Sequence, residues 1–299
     1  MGTASVQGQI WGTRAKDWAD AQEGVAIPLF EAVLHETEVG ENTSVLDIGC
    51  GSGIFCEMAA KRGARVSGLD ASEHLVAIAH ERVQSGEFRT GEMEELPYDN
   101  QTFDVVTGFS SFQFAANPVN ALKEASRVSK TGTVVIAVFG KPEESESTAY
   151  IKAMGALLPP PPPGAPGPFA LSADGALEAL TIKAGLIPST VKAVNCPWDY
   201  PDEETALRGL MSSGPAIRAI QEKGEEIVRD HILQVIAPFK TRSGVSEGEA
   251  YSSIASIYNG LQSQSRAAVD NAVRSSIVLE TMRRLGVDDI EKVLRLNML

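Results

Sequence analysis

Val45-Leu46-Asp47-Ile48-Gly49-Cys50-Gly51-Ser52-Gly53 is an apolar run that ends at a carboxylate and a string of glycines. Residues 54–62 continue it with the spacing of an amphipathic helix. A short buried strand that runs into glycines and opens a helix is the first half of a βαβ unit. Glycines at such a turn allow positive φ and let a ligand approach the backbone without interference from Cβ. A dinucleotide site asks for G-x-G-x-x-G, but counting from Gly49 the sixth position holds Ile54. Asp47 would repel a pyrophosphate and attract an amine or a sulfonium. The turn therefore suits a positively charged, nucleotide-like ligand.

The pattern repeats outward from this stretch. Residues 65–69 read as a second strand, ending at Asp70, with a helix over 74–84. Residues 103–109 read as a third strand, with a helix over 119–128, and 133–139 form a β-branched run that reads as a buried strand. Strands separated by helices of this length imply a parallel sheet covered on both faces, an α/β doubly wound Rossmann-like sandwich. Residues 17–34 read as one or two helices packed ahead of the first strand. Asp70 closes the second strand about 20 residues after the glycine turn, where a carboxylate takes both hydroxyls of a ribose or caps the helix that follows.

In these segments the sequence resembles the class I S-adenosylmethionine-dependent methyltransferases, of the small-molecule subgroup related to the ubiquinone and menaquinone methyltransferases. The resemblance rests on 45–53, on Gly68-Leu69-Asp70, on Gly91-Glu92-Met93-Glu94-Glu95-Leu96-Pro97, on Phe103-Asp104-Val105-Val106, and on 121–128 leading to 133–137. It implies S-adenosyl-L-methionine as cofactor. Asp47 with the backbone of Gly49, Gly51 and Gly53 would hold its methionine part, Asp70 its ribose hydroxyls, and Ala71 would lie beside its adenine. Glu92 stands where relatives often carry Asp against the adenine amino group, with the Met93 backbone beside it. Phe109 and Ser110 would lie at the methionine end. Trp11 and Trp18 fall in the region that covers the cofactor in this subgroup, or else simply pack helices.

The implied reaction is methyl transfer to a small organic acceptor by in-line displacement, with O-, N- and C-methylation left open. Two other outcomes share the cofactor site: a non-catalytic regulatory or scaffold module, and an enzyme that uses the cofactor without methylating. His231 and His35 are the candidate general bases, although a lone histidine on a helix is more often a polar surface or packing residue. Trp198 and Tyr200 are candidate acceptor-pocket aromatics.

Composition narrows the partners. The 299 residues carry 26 Lys and Arg against 39 Asp and Glu, a formal charge of −13. With no basic stripe, nucleic acid is a poor partner. Three cysteines, Cys50, Cys56 and Cys196, are too few for a disulfide framework and lack metal-ligand spacing, so no metal is expected. Residues 1–9 lack the features of a signal peptide, and no apolar stretch approaches the ~18 residues of a membrane helix. A cytoplasmic location follows as an expectation.

Past the sheet, five consecutive prolines, Pro159 to Pro163, predict an extended stiff connector or a docking site for a proline-recognising partner. A helix is expected over 172–184 with Ser172 as its N-cap, and a strand over 190–194. The helical pattern over 201–238, broken at Gly214-Pro215 and Gly224, sits where relatives insert a cap over the acceptor. Residues 240–248 are polar, and 247–258, 262–285 and 288–296 read as helices. The last sheet strand is then either short and irregular or missing. This predicts a methyltransferase domain over 1–250 and a helical extension over 251–299. Its apolar stripe of Ile277, Val278, Met282 and Leu285 serves as core or as a homo-oligomer surface.

Overall fold

The computed structural model describes residues 2–160, 168–241, 244–246 and 251–258. Its centre is a seven-stranded sheet made of β1 (Ser44–Ile48), β2 (Arg65–Asp70), β3 (Glu87–Thr90), β4 (Phe103–Phe109), β5 (Ser129–Phe139), β6 (Ile187–Asn195) and β7 (Tyr251–Tyr258). Their order across the sheet is β3-β2-β1-β4-β5-β7-β6. The pairs β3–β2, β2–β1, β1–β4 and β4–β5 are parallel, whereas β7 runs antiparallel to both β5 and β6. The strand order reverses between β1 and β4, and ligands of open α/β sheets bind at the C-terminal strand ends beside such a switch point.

Burial explains why these residues form these strands. Every residue of β1 is buried, as required of a central parallel strand covered by helices on both faces. One face packs Leu34, Phe55, Val66 and Phe88 beneath the helices α2 (Ile27–Glu36), α3 (Ile54–Lys61) and α4 (Glu73–Arg82). The other packs Ile48, Leu69, Leu122 and Ile136 beneath α5 (Pro118–Val128) and Leu177 of α7 (Ala176–Lys183). Each such side chain contributes about 1.5–3 kcal/mol relative to exposure. Ser72 and Asn117 cap the helices after β2 and β4 by accepting from the Leu75 and Asn120 amides.

A third core lies off the sheet. It joins Tyr150 and Met154 of α6 (Thr148–Ala156) to Trp198, and to Leu210 and Ile232 of the helices α8 (Glu203–Met211), α9 (Gly214–Lys223) and α10 (Glu225–Ile236). The three-helix cap is divided at the two breaks expected from Gly214-Pro215 and Gly224. Ser213 caps α9, and Gly224, at φ +90°, separates α9 from α10. The two-residue pieces Asp199–Tyr200 and Lys240–Thr241 flank Gly244–Ser246 in a small antiparallel sheet at the base of this cap.

Several expectations are corrected. Residues 251–258 form a strand rather than a helix. That strand lies inside the sheet between β5 and β6, so the sheet runs past residue 250. Ile254 and Ile257, three apart, fit the helical period, and the partner strands that decide otherwise are remote in sequence. Ser172 does not cap α7. Its hydroxyl donates to the Phe139 carbonyl, and Gly175, at φ +75°, takes the cap position. The short strand β3 and the helix α6 carry no strong period and were not expected. At the N-terminus, α1 (Ala4–Gly12) leads through short α, π and 3-10 turns over 15–26 to α2. The centre of the proline stretch (161–167), residues 247–250 and the stripe of 277–285 lie outside the described residues.

Candidate active site

Two adjoining cavities of about 190 and 160 Å³ lie over the C-terminal ends of β1, β2 and β4 and share Gly49, Gly51, Phe109, Ser110 and Trp198. The floor is the glycine turn. Gly49 and Gly51 stand at φ +77° and +55°, conformations a side chain would strain. A Cβ on Gly51 would also meet the Glu23 carboxylate at 2.5 Å. Gly53 shares the positive φ but serves packing, since its Cβ would stand 2.8 Å from Cβ of Ala79, and it does not line either cavity.

Carboxylates ring this floor. Asp47 is 2 % exposed, lines the smaller cavity, and accepts from Thr107 Oγ1 at 2.8 Å, across the β1–β4 register. Burial, with the nearby charges of Glu23 and Asp70, overcomes the Thr107 bond and pushes its carboxyl up to about 7. Asp70 accepts the Gly51 amide at 2.9 Å on one oxygen and the Ser72 amide at 2.8 Å on the other. Burial raises its pKa as well. One side chain thus ties the second strand to the glycine turn while still lining the larger cavity.

Glu23 was not singled out in the sequence. It reaches the same turn from the N-terminal region, accepting the Ser52 amide at 2.9 Å and the Ser52 hydroxyl, and pairing with Arg82 at 3.0 Å. Arg82 also donates to Ser52 Oγ at 2.8 Å. Burial raises the Glu23 pKa against these bonds. No local motif announces the contact, because its partners lie 29 and 59 positions away.

The far wall is aromatic. Trp11 and Trp18 meet edge to face at 5.0 Å, and Trp11 approaches Phe114 at 6.0 Å. Helix α1 comes this close because Gly8 and Gly12 share one face. A Cβ on Gly8 would stand 2.1 Å from the Ala71 carbonyl oxygen. On the cap side, the rings of Tyr150 and Trp198 lie 5.7 Å apart. The Tyr150 hydroxyl donates to the Leu210 carbonyl at 2.7 Å and stands 2.6 Å from Ser213 Oγ. The Tyr200 hydroxyl donates to Gln22 Oε1 at 2.8 Å, tying the cap to the N-terminal segment.

Of the residues predicted from sequence, Asp47, Gly49, Gly51, Asp70, Ala71, Glu92, Met93, Phe109 and Ser110 come together around these cavities. Trp11, Trp18 and Trp198 join them. Glu92 has a further task, accepting the Ala4 amide at 3.0 Å at the start of α1. Ser110 stands at φ +48°, a left-handed conformation unusual for a residue with a side chain. The two histidines stay apart from the site. His35 is exposed on α2, and the His231 ring faces the Ile227 carbonyl of its own helix. Neither lines a cavity.

This donor set fits S-adenosylmethionine. Among the described residues neither cavity is lined by Lys, Arg or His to neutralise a phosphate, while buried carboxylates stand ready for a cation and a diol.

The comparisons agree with this geometry. A family model described as a methyltransferase domain matches residues 46–137. The chain is 27 % identical over 185 residues to the malonyl-[acyl-carrier protein] O-methyltransferase of Erwinia pyrifoliae, covering 62 % of this chain and 66 % of that one. It is 39 % identical over 101 residues to the ubiquinone biosynthesis O-methyltransferase of Maricaulis maris, covering 32 % and 40 %. The chain thus spans less than two thirds of the length of these curated relatives. In fold it is similar to a putative methyltransferase of Haloferax volcanii seen in complex with the Trm112 methyltransferase activator. That match has a TM-score of 0.54 and 18 % identity, over 85 % of this chain and 96 % of that one. It is also similar to the YcgJ protein of Bacillus subtilis, with a TM-score of 0.51 and 19 % identity, over 77 % and 97 %. The glycine turn with its flanking carboxylates, the Rossmann-like sheet and the matched family model agree, and residues 46–137 carry a methyltransferase domain.

Proposed function

We propose that this chain transfers a methyl group from S-adenosylmethionine to a small organic acceptor. The observation that carries this reading is the ring of buried carboxylates on a glycine turn, in cavities with no cationic lining among the described residues. Asp47 and the backbone of Gly49 and Gly51 would hold the methionine end, Asp70 the ribose hydroxyls, and Ala71 with Met93 the adenine. The cofactor supplies an activated methyl group whose sulfur leaves without protonation. The protein's own part is then placement. Asp70 and Glu23 fix the turn from two sides, and Thr107 holds the Asp47 carboxylate in one orientation. Trp11, Trp18 and Trp198 exclude water over the turn, and the cap helices α8–α10 close the acceptor end.

His231 and His35 do not serve as bases in this reading, because neither faces a cavity. Cys50, Cys56 and Cys196 are buried and form no disulfide among the described residues, which supports a reducing, cytoplasmic setting. Among the described residues no helix is long and apolar enough to cross a membrane. With its formal charge of −13, the chain is proposed to act without a nucleic acid partner.

The test is incubation of purified protein with methyl-labelled S-adenosylmethionine and fractionated small-molecule pools, followed by identification of labelled products. Label on an organic acceptor is expected. Tight cofactor binding with no transfer across all pools would instead favour a non-catalytic module.

A further inference from the structure

The cavity has two chemically different ends. One carries Asp70, Ala71 and Glu92, and the other is built from Phe139, Tyr150, Ile151, Trp198 and Pro215, with Phe109 between. The polar groups of the second end are already engaged. The Tyr150 hydroxyl donates to the Leu210 carbonyl and lies against Ser213, whose oxygen also accepts the Ala216 amide. Of the cations nearby in the chain, Lys152 beside Ile151 is exposed and absent from the lining, and three others are held by carboxylates. Lys141, two residues after Phe139, pairs with Asp174 at 2.7 Å. Arg82 pairs with Glu23. Arg14 pairs with Glu225 at 2.7 Å. Among the described residues, no positive charge faces this end of the cavity.

A carboxylate or phosphate taken into such a pocket loses its hydration and gains no counter-charge, and it meets the field of Asp47, Glu23 and Asp70 as well. An uncharged ring system loses little and gains contact with four aromatic faces. We propose that the second end is the acceptor pocket and that it selects uncharged, apolar, ring-bearing acceptors against anionic ones. This rests on the transferase reading for the word acceptor, while the charge selection follows from the lining alone. It also separates this chain from any relative whose acceptor is an acid or is presented on a phosphate-bearing carrier.

The experiment uses the full chain loaded with S-adenosylhomocysteine and two probes that differ by one charge, 2-naphthol and 6-hydroxy-2-naphthoate, titrated by calorimetry at pH 7.5. The neutral probe is expected to bind at least about tenfold tighter, the step that corresponds to one decade in Kd. Ile151→Arg, checked for folding by circular dichroism, should narrow that ratio by raising affinity for the naphthoate. Equal or tighter binding of the naphthoate by the unmodified protein overturns the proposal, as does no binding of either probe. All three tryptophans of the chain line the cavity, so intrinsic fluorescence reports separately whether S-adenosylhomocysteine binds. If it does not, and the naphthol preference persists in the unloaded protein, the cofactor reading fails while the charge selection stands.

Discussion

At the scale of single residues, Asp47 has the most to reveal. Its carboxyl stands near 7 when folded, against 3.8 for the free side chain. Between about pH 4 and pH 7 the folded chain therefore holds a proton that the unfolded chain has released, and stability falls as pH rises through that window. Asp47→Asn keeps the shape and removes the buried charge. The ligand-free variant should melt higher than the parent at pH 8 and lose part of the parent's pH dependence, as thermal melts across pH 5–8 will read. A lower melting temperature at pH 8 would count against the burial argument. Asp70 makes a complementary case. Asp70→Asn turns one oxygen that accepts a backbone amide into a donor, a loss of about 1–3 kcal/mol. Because the same carboxylate is assigned to a diol, the variant should weaken S-adenosylmethionine more than its 2′-deoxy analogue in parallel titrations. Equal losses would leave Asp70 as a clamp of the turn only. Glu23 and Arg82 form a mostly buried pair, and Glu23→Ala leaves the guanidinium with Ser52 and with Glu57 at 3.9 Å. The expected cost is about 1–3 kcal/mol in chemical denaturation, the loss of charge-assisted hydrogen bonds with one ion-pair partner remaining.

At the scale of elements, α1 is held over the site by the absence of side chains. Gly8→Leu would drive Cβ into the Ala71 carbonyl, and overpacking of this kind costs about 1–3 kcal/mol. With far-UV circular dichroism unchanged, cofactor affinity should fall roughly 5- to 150-fold, a range that follows from that cost. Unchanged affinity would mean that α1 takes no part in closing the site. The strand β7 makes a sharper case. A chain ending at residue 250 would be tolerated if 251–299 were a helical extension, but β7 pairs with both β5 and β6. Its removal exposes two sheet edges, and the truncated protein should aggregate or fail to melt cooperatively. The elements legible in sequence were those whose period is set locally: β1, β2, β4 and β5, the helices α3 to α5 and the three cap helices. Those it hid depend on remote partners: β7 on strands far away, β3 on the β2 edge, and the Ser172 hydroxyl on the Phe139 carbonyl. The site follows the same division. Asp47, Asp70 and the glycine turn announce themselves by spacing, whereas Glu23 and Tyr150 enter through contacts that no local pattern encodes.

For the whole molecule, the fold sets a Rossmann-like switch point beneath two lids, an N-terminal one carrying Trp11 and Trp18 and a helical cap carrying Tyr150 and Trp198 against its core. The lids are joined through the bond from Tyr200 to Gln22. Charge is arranged on the same plan, with acids beneath and aromatics above. Everything in the functional account depends on this acid-lined turn preferring a cationic adenosyl donor to a phosphate-bearing nucleotide. The direct measurement is calorimetric titration of the purified chain with S-adenosylmethionine and with NAD, at pH 6 and pH 8. The account predicts saturable binding of S-adenosylmethionine that tightens toward pH 8 as Asp47 gives up its proton, and no measurable heat with NAD. Binding of NAD with indifference to S-adenosylmethionine at both pH values would contradict it.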